Sequence, residues 1–578
     1  MAEIQRVLTE ARQKQDRSMM ETRQKHDGYT MNITHPEGKK LGIAVLTLVT
    51  VLAACIFFTH LGDFPLFNPD EALYAEPARE MNEIHEYITT YLNYVVRFTK
   101  PPLVIWAMAL CYQIFGVGEF AARFFGASCG VVLVSVTYLF AARYFSTLTA
   151  FVAAMSLLCA PLYLGTAREA ITDMPLSLFM AGAQMAFFHA FASKDRRYSY
   201  LGYLLVALSV MTKGPVGLVL PVGILATYHL LRGDLLEALK FHRVWLGALI
   251  IAIVALPWFV VEIAVTKGAY FQEFIMRENV QRFTDNVDSH KQPFWYHAAA
   301  MFGGYLPFTV FLPQSYFREF KQFFSLIRSK PWGEGFRALS NRDSLGLYCL
   351  IWSTAVLVFF SLSVSKLLPY TLPAFPALAI LLASELYRNL ESKSFVRLAL
   401  PLLLLLVVFA GVGYLAPHLL AKARDVPAEA KALLTAACAY GAFVSMVSIM
   451  LLRFGKRTLA LVLFPSLMAV GVFYGGLMAL PLMSKSMEGD LPAFSRFAGQ
   501  GKLPIIVFDM RKPGVPFYAL RKVENINGYE PLKQRLAQLG EASILCRSQR
   551  VDILVKDGAK LISQKGAYAL LEYRKAAE

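Results

Sequence analysis

The sequence predicts a polytopic α-helical membrane protein that ends in a small α/β domain, and three observations carry this. Of 578 residues, 56% are apolar and only 17% are charged, with mean hydropathy +0.46, more apolar surface than a soluble core can use. Long charge-poor runs recur along most of the chain, many near the ~20 residues that a helix needs to cross a bilayer. After Pro481 the composition turns polar and short β-type runs begin. Collagen, disordered chains and outer-membrane barrels are excluded together.

Residues 1–40 are polar and of mixed charge and read as a cytoplasmic segment. No small-residue cleavage site follows the apolar run 41–61, which reads as a retained helix rather than a signal peptide. Thirteen spans follow from the apolar runs: 41–60, 119–142, 147–165, 174–193, 199–213, 215–231, 244–264, 297–314, 345–363, 368–388, 397–418, 432–452 and 458–481. The run 101–116 is short and opens on Lys100-Pro101-Pro102, so it reads as re-entrant or interfacial. The membrane part thus covers 41–481, with long outer loops at 61–118 and 265–296.

Alternate loops are basic, at 194–197, 232–243, 318–342, 388–397 and 453–457, and thirteen spans put all of them on the side of the N-terminus. Positive loops stay inside, so the N-terminus is cytoplasmic and the outer loops and the tail from 482 face out. The excess of 57 Lys+Arg over 41 Asp+Glu, a net +16, reads as this loop charge rather than a nucleic-acid surface. The tail, 482–578, carries β-type runs at 503–508, 551–555 and 567–573 and an amphipathic stretch at 532–539, an α/β pattern. The seven cysteines form no disulfide framework or zinc pattern. No internal repeat is evident, which weighs against a carrier built from two related halves.

The unusual polar residues gather on the outer side. The first outer loop offers the carboxylate pair Asp70 and Glu71; Asn68 as N-cap, Pro69 at N1 and Glu71 at N3 also read as a capping box. A second outer turn, Arg168-Glu169-Ala-Ile-Thr-Asp173-Met-Pro175, places Asp173 ahead of a membrane helix, where it is either a helix-start residue or a second acid at the same face. Two acids there could act as base on a substrate approaching from outside. Lys100, Lys213 and Lys366 stand at Pro- or Gly-marked outer boundaries, where the orientation rule asks for no positive charge. They either snorkel to headgroups or hold an anion such as a lipid phosphate. The loop 265–296 adds Arg277, Arg282 and His290 among aromatics that suit an interfacial belt or sugar stacking. His290 by itself reads as a solvated or hydrogen-bonded histidine.

Together these residues carry a resemblance. Asn68-Pro-Asp-Glu-Ala-Leu-Tyr74 with Arg79, then Lys100-Pro-Pro-Leu103, Gly118-Glu-Phe-Ala-Ala-Arg123, Asp173-Met-Pro175, Thr212-Lys-Gly-Pro215, Pro257-Trp258, Glu278-Asn279, Arg282-Phe283 and Lys366-Leu-Leu-Pro-Tyr370 run in order through nearly the whole membrane region. The set resembles the lipid A 4-amino-4-deoxy-L-arabinose transferase family, bacterial relatives of the protein O-mannosyltransferases with the GT-C membrane fold. The resemblance implies an inverting glycosyltransferase of the bacterial inner membrane. It would take a sugar from a polyprenyl (undecaprenyl) phosphate carrier on the periplasmic face and pass it to lipid A or another envelope acceptor.

It implies Asp70 and Asp173 as catalytic residues, Lys100 on the carrier phosphate, and a substrate-binding set of Glu71, Tyr74, Arg79, Lys100, Lys213, Arg277, Arg282, His290, Lys366 and Tyr370. No cofactor is required, although the outer acids could hold a divalent metal for which the residues name no ligand set. The family pattern has an arginine where Leu73 stands and an acid where Thr99 stands. Two rivals remain: a protein O-mannosyltransferase, which differs in its acceptor, and a lipid flippase or exporter. The flippase would want polar groups near the bilayer midplane, whereas these sit at one rim.

Overall fold

The computed structural model describes residues 36–281, 292–328, 333–392, 394–421 and 428–575. Among them, nine helices are long and apolar enough to cross a membrane, or ten if Thr147–Cys159 and Pro161–Ala167, which meet at 66°, count as one broken span. The chain is a multi-pass membrane protein. Four of the thirteen apolar runs, 147–165, 199–213, 215–231 and 297–314, are not among these nine helices, for local reasons. Arg197–Lys213 and Val216–Arg232 have 17 residues each and join at Gly214-Pro215. A helix of that length reaches about 26 Å, at the short end of what crosses a roughly 30 Å hydrocarbon core, so both are short membrane helices. The run 297–314 is not one helix: Tyr296–Gly304 ends at a glycine pair, a 3-10 turn Phe308–Phe311 follows Pro307, and Leu312–Arg328 continues as an amphipathic helix. Apolar content persists through that run while Gly and Pro interrupt the helical hydrogen-bond ladder. Leu103–Phe115 has only 13 residues, too few to span.

Phe375–Glu391 lies at the centre of the bundle, with almost every residue buried. Alanines on its surface let neighbours approach, and a helix apolar on all sides is stable only when enclosed. The last membrane helix, Arg457–Glu488, continues past Pro481 for two turns, so the boundary expected at 482 moves to Gly489, whose φ of +54° ends the helix. It carries Pro465 and Pro481 in its interior, and Cys159 Sγ bonds the Pro465 carbonyl.

The first outer loop folds as a helix, Ala72–Ile84, and a hairpin of strands β1 (Tyr91–Leu92) and β2 (Val95–Val96). Asn93 and Tyr94 at the tip both have positive φ, 56° and 59°, as a two-residue hairpin turn requires. The C-terminal domain is a five-stranded mixed sheet of β3 (Ile505–Phe508), β4 (Glu524–Ile526), β5 (Glu541–Arg547), β6 (Lys560–Lys565) and β7 (Tyr568–Arg574), in the order β4-β3-β5-β7-β6. Strand β3 is buried on both faces, with Ile505 and Val507 in one core and Ile506 and Phe508 in the other. The strand expected at 551–555 is instead the helix Val551–Lys556, with Val551 and Leu554 buried at i, i+3 spacing. Strand β5 has no counterpart in the sequence reading, since Glu541-Ala-Ser543 lacks a β-type pattern.

This domain docks on the first outer loop. Glu488 accepts from the Asn68 backbone N–H and Nδ2 at 2.9 and 2.7 Å and faces Lys512 at 3.3 Å, while Asn68 Oδ1 accepts from the Gly514 N–H at 2.6 Å. Asn93 exchanges two bonds with Val523, and the Tyr518 hydroxyl accepts from the Leu66 N–H.

Candidate functional site

Glu71 lies wholly inside the protein. Its carboxylate accepts from Arg123 Nε and Nη2 at 2.7 Å each, from the Ala170 N–H at 2.7 Å and from the Phe67 N–H at 2.8 Å. Arg123 is equally buried and gives its remaining donors to the Leu61, Phe64 and Pro65 carbonyls at 2.9 Å. All five guanidinium N–H groups are thereby used. Glu71 therefore staples the first outer loop to the second and to helix Glu119–Tyr144, and cannot bind substrate as the motif suggests. The capping box is also absent: Asn68 is spent on Glu488 and Gly514, and Glu71 reaches back to Phe67, not to Asn68.

Arg79 has a comparable fate. It forms a two-bond pair with Glu76 at 2.7 Å and bonds Glu83, with Tyr94 at 3.5 Å. Beside it, burial and the neighbouring Glu76 push the Glu80 carboxyl up to about 8. The substrate role expected for Arg79 gives way to this internal network, because two turns of helix bring three acids around one guanidinium.

Asp70 keeps an exposed place in the turn before Ala72–Ile84. Asp173 opens the helix Asp173–Ser193, is 8% exposed, and accepts from Lys213 Nζ at 2.6 Å. Lys213 ends its own helix where Gly214 turns with φ +78°, and its ammonium stands 4.3 Å from the Tyr370 ring centre. A Cβ on Gly214 would come within 2.5 Å of Phe274, so glycine there permits both the turn and the packing.

Lys213 and Tyr370 line a cavity of about 370 Å³ with Lys100, Glu278, Asn279, Ser363 and Ser365 at its polar side. Val216, Val219, Val280, Phe359 and Phe360 form its apolar wall. Lys100 Nζ is 3.5 Å from Glu278, on the π-helical segment Phe271–Gln281. Lys366 does not line the cavity. It is 6% exposed and donates to the Ser363 carbonyl, and burial lowers its ammonium below the usual lysine range. Arg277 is exposed and pairs with Glu273 at 3.0 Å, while Arg282 and His290 lie outside the described residues.

Two residues join the site that the motif reading passed over. Glu169 sits between the acids: burial, then Glu71, Asp70 and Asp173 in turn, push its carboxyl up to about 8. It is a neutral acid at pH 7. A carboxyl raised in the fold stabilises fully below its unfolded value of 4.5, and that contribution is lost as pH rises through about 8. Glu169→Gln is therefore expected to match the parent's unfolding midpoint near pH 4.5 and to exceed it by a few degrees above pH 8, read by thermal unfolding in detergent.

Arg97 is the second. Its guanidinium donates to the Leu73 carbonyl and stands 5.8 Å from the Tyr74 ring centre, so a cation reaches Leu73, where the family pattern has an arginine. Burial lowers Arg97, against the pull of Tyr74 and Glu278. Tyr74 is raised by burial, against Arg97 and Lys213. The signal for Arg97 was absent because hairpin geometry, not spacing, carries it back over Tyr74. Among the described residues no three His, Cys, Asp or Glu side chains come together as a metal ion would need, so no step is routed through one.

Residues 99–260 match the family described as dolichyl-phosphate-mannose-protein mannosyltransferase. An uncharacterized protein of Aquifex aeolicus is 31% identical over 343 residues, 59% of this chain and 63% of that protein. The undecaprenyl phosphate-alpha-4-amino-4-deoxy-L-arabinose arabinosyl transferase of Aeromonas hydrophila is 29% identical over 334 residues, 57% of each chain. The chain thus spans about three fifths of the curated relatives it matches. The crystal structure of ArnT from Cupriavidus metallidurans bound to undecaprenyl phosphate shares the fold, with TM-score 0.74 and 22% identity over 91% of this chain and 97% of that one. The chain therefore shares the fold of that structure and, over residues 99–260, matches the mannosyltransferase family.

Proposed function

We propose that this protein is a polyprenyl-phosphate-dependent glycosyltransferase that moves a sugar from a lipid phosphate carrier to an envelope acceptor, with its site on the periplasmic side of the bacterial inner membrane. One observation carries the reading: a single cavity sets Lys100, Lys213 and Tyr370 against an aliphatic and aromatic wall, beside the Asp173–Lys213 pair. That is the chemistry of a phosphate with an isoprenoid tail. Nucleotide sugars are absent outside the inner membrane, so a donor must arrive lipid-linked. Its phosphate is the leaving group, and preplaced ammonium groups stabilise the negative charge that develops on it. Asp70, exposed on the same carboxylate cluster, serves as base toward an acceptor hydroxyl or, if the acceptor is itself a phosphate, as a positioning group. The names of the relatives favour 4-amino-4-deoxy-L-arabinose as sugar and lipid A as acceptor. The mannosyltransferase family matched by residues 99–260 favours a protein acceptor as the second reading.

Loss of one charge-assisted phosphate contact removes about 1.5–3 kcal/mol, roughly tenfold to a hundredfold in affinity. Lys100→Ala and Lys213→Ala are each expected to weaken undecaprenyl phosphate binding to the solubilised protein by that factor, with Lys366→Ala much less affected. Binding unchanged in both variants would remove the carrier site. Transfer from labelled donor to lipid A or to protein then separates the two acceptors.

The basic loops motivate the orientation. Alkaline phosphatase fused after Glu488 is expected to be active, and fused after Arg328 to be silent; the opposite pattern would reverse the sidedness.

A further inference from the structure

Three membrane helices that reach the carrier cavity run on to a second one. Val216–Arg232 contributes Val216 to the first cavity and Tyr228, His229 and Arg232 to the second; Asn341–Leu362 contributes Phe360 to the first and Asn341 and Ser344 to the second. Asp173–Ser193 begins at the Asp173–Lys213 pair and ends at Lys194 on the second cavity, 21 residues or about 30 Å away. The two cavities therefore lie at opposite membrane faces.

The second cavity encloses about 110 Å³, room for a few waters or one compact anion. Lys194, Arg232 and Arg337 converge on it. Arg232 and Asp234 form an ion pair at 2.9 Å, but Lys194 and Arg337 have no carboxylate partner among the described residues. His229 lines the same space and is 1% exposed. Asp234 Oδ1 lies 2.8 Å from His229 Nδ1, and His229 Nε2 has no hydrogen-bond partner among the described residues. Asp234 thus orients the ring, and the second nitrogen is left to serve whatever occupies the cavity. A buried imidazole nitrogen without a partner is costly, and water or an anion removes that cost. Asn341 and Ser344 add the N-terminal turn of a 22-residue helix, whose N–H groups favour negative charge.

Positive loop charge and helix C-terminal dipoles would place cations at this face. They do not require that three of them share one cavity with a buried histidine. The geometry points to a second anion site, at the face opposite the carrier cavity, that takes a phosphomonoester, with the guanidinium forks of Arg232 and Arg337 and the Lys194 ammonium on its oxygens and His229 Nε2 as a further hydrogen-bond partner. The group reaches it either as the headgroup of a lipid in that leaflet or as free phosphate.

The test uses the full chain in a neutral maltoside detergent at constant ionic strength, titrated with inorganic phosphate and separately with dihexanoyl phosphatidic acid, and followed by thermal unfolding. Saturable stabilisation is expected, weakened about tenfold or more in Arg337→Gln and in Lys194→Gln and unchanged in Lys560→Ala, an exposed lysine of strand β6. Both substituted residues are exposed, so both variants are expected to fold, and Arg337→Lys is expected to recover part of the affinity. Phosphatidic acid binding more than tenfold tighter than phosphate assigns a lipid source; equal binding assigns free phosphate. Stabilisation by either ligand that is insensitive to Arg337→Gln and Lys194→Gln, or that Lys100→Ala alone abolishes, overturns the site and returns these cations to loop charge.

Discussion

Replacing Glu71 with glutamine is expected to destabilise the protein by about 3–5 kcal/mol, because it leaves the Arg123 guanidinium buried without its counter-ion. The amide also turns a donor toward Arg123 or toward the Phe67 or Ala170 N–H, where only acceptors fit. The first outer loop, the second outer turn and helix Glu119–Tyr144 would then lose their common staple. The measurement is the unfolding midpoint and folded yield in detergent. A Glu71→Gln protein of parental stability with reduced sugar transfer would sink the structural assignment and return Glu71 to the substrate.

The neighbouring acid is expected to behave in the opposite way. Asp70→Asn alters an exposed side chain, and such changes usually stay within about 0.5 kcal/mol of the parent. Transfer, however, is expected to fall by about 10²–10⁴, the range for loss of a positioned proton acceptor. Assay of sugar transfer from polyprenyl phosphate donor, at matched folded concentration, decides it. Full transfer by Asp70→Asn would make this residue a helix-start acid. The contrast between adjacent positions 70 and 71 is the sharper test, since a general loss of loop structure would damage both variants alike.

The membrane class was legible because it rests on a local quantity, the length of apolar runs. Individual helices were less so. Segment 297–314 kept its apolar content while Gly303, Gly304 and Pro307 broke its ladder, and a hydropathy window averages over such breaks. The motif residues divided in the same way. Lys100, Lys213 and Tyr370 share a cavity, whereas Glu71 and Arg79, as prominent in the motif, are consumed by buried ion pairs. Residue type alone could not separate them, since a carboxylate that binds substrate and one that neutralises a buried arginine look alike in a string of letters. Glu169 and Arg97 were missed for the converse reason: one is raised by acids 98 and 99 positions away, the other is turned over Tyr74 by a hairpin.

From composition and order of residues alone, then, come a many-helix membrane chain, a mixed α/β tail and a resemblance to sugar transferases that use lipid carriers. These follow from how each segment partitions between water and hydrocarbon, which depends on neighbours along the chain. Which acids remain available for chemistry, which lysines face a common cavity, and that a second basic cavity closes the far ends of the same helices were decided only by tertiary packing. Desolvation and charge pairing depend on residues brought together across tens or hundreds of positions, and a buried charge takes whichever partner the fold supplies.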